Sequence, residues 1–391
     1  MTITLMPTIF PENVDVSFLV SGLMPSTHYQ VVFRSSRERY EQISARHVSN
    51  ASGVLHLEQR IAWRGEILVD LFPAGAPTPL ATLHGYAAPA ALASRIPLKL
   101  DFHIHTQFSD GKQSPLEMIL TGRENGLDAL AITDHNYYPS SLEAIQAARE
   151  VQLGLLCFPG EEVSLEAVHI LSIGASAGVG NQPPRTGYAG LRTAVDQVHQ
   201  SGGKAYLAHP FWRLAPQHNH LPTSHYFQVL KENIFDGVEL LGDVEWEDNL
   251  RSLVFYSDLP AGQRPPILGN SDTHSRTHTY NSYWTLVLAT ERSHTAVLEA
   301  IADHFSTACM RAPLEPAGSI MKPRMLAFGD FEQVELALFL DQYFFPAHDV
   351  ICREESSLAR RLSVGEPIPP MEFTRVQTAM ADLFANYWFK G

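Results

Sequence analysis

Between residues 14 and 85 the apolar positions fall in short runs with period two. Val14, Val16, Phe18 and Val20 alternate with polar or small residues, and similar runs follow at 29–34, 54–59, 66–72 and 80–85. Connections that are polar or bear Gly or Pro separate them, as at 21–22, 49–53 and 73–79. Alternation places every second side chain on one sheet face, so short strands at this spacing predict an antiparallel β-sandwich over residues 1–97. The stretch AAPAALASRIP (87–97) reads as a linker.

From residue 98 strands alternate with helices. The segment LKLDFHIH puts Leu98, Leu100, Phe102 and Ile104 on one face and Lys99, Asp101, His103 and His105 on the other. A helix should follow, with Ser114 as N-cap, Pro115 at N1, Glu117 at N3 and Gly126 as its stop. Further strands are predicted at 129–133, 155–158, 205–208, 237–241 and 267–269, and helices at about 140–154 and 191–200. Repeated β-α units imply a parallel sheet, open or closed into a barrel, over residues 98–312. Residues 313–391 form a C-terminal helical extension, with helices expected at 331–344, 349–362 and 370–388.

Composition narrows the class. With 45% hydrophobic and 18% charged residues the chain reads as soluble and globular. No apolar run reaches the length of a membrane span, and the N-terminus lacks a basic segment of the kind that opens a signal peptide. Cys157, Cys309 and Cys352 are odd in number and far apart, which fits reduced thiols in a cytoplasmic protein. The net charge of −14 disfavours a nucleic-acid partner, because such affinity comes from neutralising phosphates. A small anionic substrate stays compatible, since bound cations reverse the local field.

Eleven of the 18 histidines lie between residues 103 and 278. His103 and His105 are an i, i+2 pair able to face one cation. The same layout recurs along the chain, for each predicted β-α unit carries candidate ligands at the C-terminal end of its strand. They are His103, His105 and Asp110, then Asp134 and His135, then Glu161, Glu162 and His169, then His209 and Glu239, then Asp272 and His274. Parallel barrels place their active sites at that face. A mixed His/carboxylate set suits Zn, Mn or Fe better than Mg or Ca.

The segments HIHTQFSDG, AITDHN, GEEVS followed by VHIL, AHP and GNSDTH, in that order, resemble the PHP (polymerase and histidinol phosphatase) superfamily over about residues 98–312. The resemblance implies a distorted (β/α)7 barrel with two or three divalent ions. On this pattern His103, His105, Glu162 and Asp272 would hold the first. Glu162 would bridge to a second on His169 and His209, and Asp110, His135 and His274 would hold the third. A short β-hairpin is expected to separate Glu162 from His169. Glu161 is expected to point the other way, as a solvated carboxylate or one that supports the ligands.

The implied activity is hydrolysis of a small phosphate ester by a metal-activated hydroxide, with Asp272, His274 and Arg213 as catalytic residues. Arg213 is the expected phosphate clamp and Arg276 a second candidate. His218, His220 and His225 lie where a lid could form, and His278 is an ambiguous neighbour. Asp134 either orients His135 or stabilises its turn. Competing readings are hydrolysis of a C–N or C–O bond with the same metals and a noncatalytic binding module. The run Tyr343, Phe344 and Phe345 is expected to pack the tail onto the barrel or to serve self-association through the C-terminal helices.

Overall fold

The computed structural model describes residues 2–37, 42–166, 168–180, 187–212, 229, 232–242, 245–277, 282–311 and 325–389. They divide into two compact units. One comprises Met1–Ile96, Phe331–His348 and Thr378–Gly391, the other Pro97–Asp330 and Asp349–Gln377. The residues expected as one C-terminal extension are thus shared between both units. No helix among the described residues is long and apolar enough to cross a membrane.

In the first unit, strands β1 (Thr4–Met6), β2 (Ile9–Pro11), β3 (Asp15–Ser21), β4 (His28–Ser35), β5 (Gln42–Val48), β6 (Leu55–Arg60), β7 (Gly65–Pro73) and β8 (Ala81–Ala88) form two sheets, ordered β1-β3-β6 and β2-β8-β7-β4-β5. The alternating positions do what their period requires. Val16, Phe18 and Val20 on β3 and Val31 and Phe33 on β4 point into one shared apolar core. The stretch 87–97 is not a free linker: it holds the end of β8, helix α1 (Ala90–Ala93) and the start of the next strand.

The second unit is α/β. It begins with β9 (Ile96–Asp101), α2 (Pro115–Glu124), β10 (Ala129–Ala131), α3 (Pro139–Glu150) and β11 (Leu156–Phe158). Ser114 caps α2 by accepting a hydrogen bond from the Glu117 N–H, with Pro115 at the first turn, as its sequence predicts. β12 (Gly160–Ser164) and β13 (His169–Ile173) make the expected hairpin, with Glu162 opposite Leu171. Then come α4 (Gly187–Gln200), β14 (Lys204–Ala208), β15 (Gly237–Leu241), α5 (Trp246–Asp258), β16 (Ile267–Gly269), β17 (Tyr283–Ala289), α6 (His294–Ala302), β18 (Ser306–Arg311) and β19 (Met325–Phe328). Helices α7 (Phe331–Tyr343), α8 (Phe345–Ser363) and α9 (Pro370–Tyr387) close the chain.

The strands of the second unit assemble as a six-stranded sheet, β11-β10-β9-β17-β18-β19, and a five-stranded one, β12-β13-β14-β15-β16. Only part of each is parallel. β13 runs antiparallel to both β12 and β14, and β18 to both β17 and β19. Isolated parallel bridges link His135 to Glu162 and Ile104 to Thr273. These bridges lie just past the C-terminal ends of β9 and β10. They fasten residues of the two sheets together where the candidate ligands stand.

Phe344 and Phe345 are buried within the first unit, where Phe344 packs edge-on against Phe384, Tyr387 and Trp388. Tyr343 stacks on His84 of β8. The aromatic run therefore packs within the first unit, Tyr343 on a strand residue and Phe344 on the C-terminal aromatic residues.

Candidate metal centre

β9 stops at Asp101, so His103 and His105 lie in the extended segment beyond it. That segment is held on both sides. The His105 N–H donates to the Thr273 carbonyl at 2.9 Å, and the Thr133 N–H donates to the Ile104 carbonyl at 2.8 Å. His209 and Asp272 have left-handed backbones, with φ of 22° and 46°. Such conformations are uncommon for non-glycine residues and concentrate at functional sites. Gly111 is required for a steric reason: a Cβ there would lie 2.6 Å from the His105 carbonyl group.

Every candidate metal ligand is among the described residues, and the fold gathers five of the histidines around Glu162. Its Oε2 lies 3.1 Å from His103 Nε2, 3.3 Å from His105 Nε2 and 2.9 Å from His135 Nδ1. Its Oε1 lies 2.7 Å from His169 Nδ1 and 3.1 Å from His209 Nε2. Asp272 Oδ1 faces the same pair of imidazoles as Oε2, at 3.2 Å from His103 and 3.1 Å from His105. A third group opens toward solvent. Asp110 Oδ2 lies 3.2 Å from His274 Nε2 and 3.5 Å from His135 Nε2, and its Oδ1 lies 3.7 Å from His105 Nδ1. The Asp110 side chain is 54% exposed and that of His274 37%, whereas His103, His105 and Glu162 are fully buried.

His103 Nε2, His105 Nε2, Glu162 Oε2 and Asp272 Oδ1 are buried and have no hydrogen-bond partner. Leaving polar atoms unsatisfied in a dry interior costs about 1–3 kcal/mol each. Two imidazole nitrogens and two carboxylate oxygens converging in this way form the N/O donor set that Zn, Mn or Fe takes. The residues therefore fit a bound cation. Electrostatics agrees. Burial alone would lower the His103 pKa, but Asp272, Glu162 and Glu239 outweigh it and hold it well above the ordinary value. For His135, burial is likewise outweighed by Asp110 and Glu162, and its pKa rises to about 10. Burial would raise Glu162, yet the surrounding imidazoles, His103 foremost, keep it well below the carboxylate range. The carboxylates thus demand positive charge, and a divalent cation meets that demand by displacing the imidazole protons.

The supporting residues differ from expectation in several places. Glu161 is buried, not solvated, and its carboxylate accepts from the backbone N–H groups of Val179 and Gly180. Asp134 does not bond His135. It accepts from the Thr106 N–H at 2.7 Å, the Thr106 hydroxyl at 2.6 Å and the Ser109 hydroxyl at 2.6 Å, tying the Asp110 loop to the His135 turn. Arg276 pairs with Glu117 at 2.8 Å, which occupies the second candidate for a phosphate clamp. Arg213, His218, His220, His225 and His278 lie outside the described residues.

Glu239, which the sequence offers only as a ligand candidate, faces the other nitrogen of His103. Its Oε1 lies 3.1 Å from His103 Nδ1 and accepts from Asn270 Nδ2 at 2.9 Å, while its Oε2 accepts from the His209 N–H at 2.8 Å. A carboxylate on Nδ1 fixes the tautomer that frees Nε2 for a cation. Glu239→Ala is expected to weaken metal affinity about 10–100-fold, measured by competition with a chromogenic chelator. Unchanged affinity would remove Glu239 from this role.

A buried histidine–carboxylate cluster at the strand ends of an α/β unit defines the chain as a candidate metalloprotein. Residues 101–242 match the family model of the PHP domain. An uncharacterized protein of Methanocaldococcus jannaschii is 24% identical over 127 residues, covering 29% of this chain and 68% of that protein. Among solved structures, a two-domain Bacteroides vulgatus protein described as containing a predicted PHP-like metal-dependent phosphoesterase is 23% identical, with a TM-score of 0.41. The match covers 55% of this chain and 65% of that one, just under two thirds of its length. An amidohydrolase from Chromobacterium violaceum is 18% identical with a TM-score of 0.35, covering 45% of this chain and 87% of that one.

Proposed function

We propose that the chain is a metal-dependent phosphoesterase that hydrolyses a small phosphate ester with two or three Zn, Mn or Fe ions. The observation that carries this reading is Glu162, whose two carboxylate oxygens face separate histidine sets in a dry interior. His103, His105, Glu162 and Asp272 would hold one cation, Glu162, His169 and His209 a second, and Asp110, His135 and His274 a third. The ions would supply an activated water near neutral pH and neutralise charge on the phosphoryl oxygens.

The protein groups do the rest. His274 Nδ1 donates to the Asp272 carbonyl, 2.9 Å away, which leaves Nε2 facing Asp110 on the half-exposed side. With only two ions bound, that nitrogen would be free to pass a proton to the departing alcohol; with three, it would hold the third cation. Asp272 supplies a buried, ionised carboxylate at the floor of the site. Arg213 remains the proposed phosphate clamp. The overall acidity of the chain, with net charge −14, supports a small substrate over a nucleic acid. In this reading the two sheets of the second unit are the parts of a distorted (β/α)7 barrel, and the first unit is a β-sandwich.

Elemental analysis of purified protein is expected to find at least about two equivalents of Zn, Mn or Fe. With added Mn, a panel of phosphomonoesters and phosphodiesters should be turned over. A folded protein that binds none of these metals, or turnover confined to amides and lactones, would overturn the proposal.

A further inference from the structure

Phe108 and Tyr137 are large aromatic residues left partly in water, each 39% exposed, on the two loops that carry Asp110 and His135. Their rings stack on one another, with centroids 5.3 Å apart and planes 18° apart. Both are held by the backbone beneath them. The Phe108 N–H faces the Thr106 hydroxyl at 3.3 Å, that hydroxyl donates to Asp134, and the Tyr137 N–H donates to the Asp134 carbonyl at 3.2 Å. Asn136, between His135 and Tyr137, has a left-handed backbone (φ 52°) and fixes its turn through its N–H to the Glu162 carbonyl at 2.9 Å and its Oδ1 from the Ser164 N–H at 3.0 Å. The pair therefore stands on hydrogen-bonded backbone, Phe108 two residues from Asp110 and Tyr137 two residues from His135.

Neither ring belongs to the buried core of the described residues. A purely structural aromatic pair would be expected to sink into the core, as the edge-on pair Phe102 and Phe158 does at a centroid distance of 4.9 Å. Rings kept half in water on ligand-bearing loops suit a flat partner, because stacking adds to area burial without requiring hydrogen-bond complementarity. We propose that Phe108 and Tyr137 form a binding platform for a flat, unsaturated ring in the leaving group of the substrate. This rests on the hydrolase reading above and narrows its substrate class to esters that carry such a ring a short distance from the bond cleaved.

The test compares ring-bearing and ring-free probes on the full-length, metal-loaded protein by titration calorimetry. Phenylphosphonate is expected to bind about tenfold tighter than methylphosphonate, the size of one aromatic stacking contact. Phe108→Leu and Tyr137→Leu should each erase most of that advantage while leaving methylphosphonate affinity and the circular dichroism spectrum unchanged. Equal affinity of the two probes for the wild-type protein, or equal loss of both in the variants, would overturn the platform. If neither phosphonate binds, phenylacetate is compared with acetate. A ring advantage in that pair, lost in the variants, supports the platform while the phosphate reading fails. No ring advantage in that pair overturns the platform as well.

Discussion

Glu162→Gln is expected to lower phosphate-ester turnover about 10³-fold and to reduce bound metal, with the fold retained. The substitution keeps shape and removes one negative charge from the point where five imidazoles converge. His103, His105 and His135 lie within 3.3 Å of one oxygen, and His169 and His209 within 3.1 Å of the other. An amide presents one acceptor and one donor. Whichever way it turns, its NH2 group faces a histidine set that has to present lone pairs to a cation. Both candidate positions that share this side chain are damaged together, so loss of one ligand reaches further than it would at His169 or Asp110. The backbone of β12 does not depend on the carboxylate, since Val163 packs in the apolar core on the other side of the hairpin. Metal content by elemental analysis and turnover under saturating Mn are the measurements. A Gln variant that keeps its full metal complement and more than about a tenth of its turnover would show that Glu162 is not the shared ligand.

The choice of Glu162 over Glu161 came from the family resemblance, and strand alternation adds only that the two must face opposite ways. Register places Glu162 opposite Leu171 and Glu161 opposite Ser172. Glu161 consequently turns away and binds the Val179–Gly180 backbone. The recurrence of His, Asp and Glu at strand ends was legible in the sequence, because it depends on local order along the chain. What depended on distant partners was not. Arg276 looks free until Glu117 is placed beside it, and Glu239 looks like another ligand until His103 and Asn270 show which face it meets. β5 was missed because QISARHV lies at a sheet edge and lacks an apolar face, so it carries no alternation to detect. The splitting of the C-terminal helices between two units is set by tertiary packing that periodicity does not encode.

The largest expected effect on stability lies at the opposite ends of the strands. Arg123 at the end of α2 is buried with Asp128, which precedes β10, and Glu355 of α8, their side chains being 2%, 1% and 3% exposed. Its Nε donates to Glu355 at 2.6 Å, and its Nη1 donates to Asp128 at 3.0 Å and to the Leu127 carbonyl at 2.9 Å. The carboxylates are committed elsewhere too, Glu355 to the Gly154 N–H at 2.9 Å and Asp128 to the Lys99 N–H at 3.1 Å. Neither can swing toward water when the guanidinium is removed. Arg292, 3.9 Å from Asp128, offers only partial compensation. Arg123→Met is therefore expected to destabilise the fold by about 3–5 kcal/mol, most of it the cost of two buried carboxylates that have lost their counter-charge. Arg123→Lys keeps the charge but cannot reach both acids with a planar fork, so an intermediate loss is expected. If the penalty comes from unpaired charge and not from packing, adding Asp128→Asn and Glu355→Gln to Arg123→Met should recover a substantial part of it. Urea unfolding midpoints of the three variants decide between these causes. A single Met variant within about 1 kcal/mol of wild type would mean that the triad contributes little beyond its bulk.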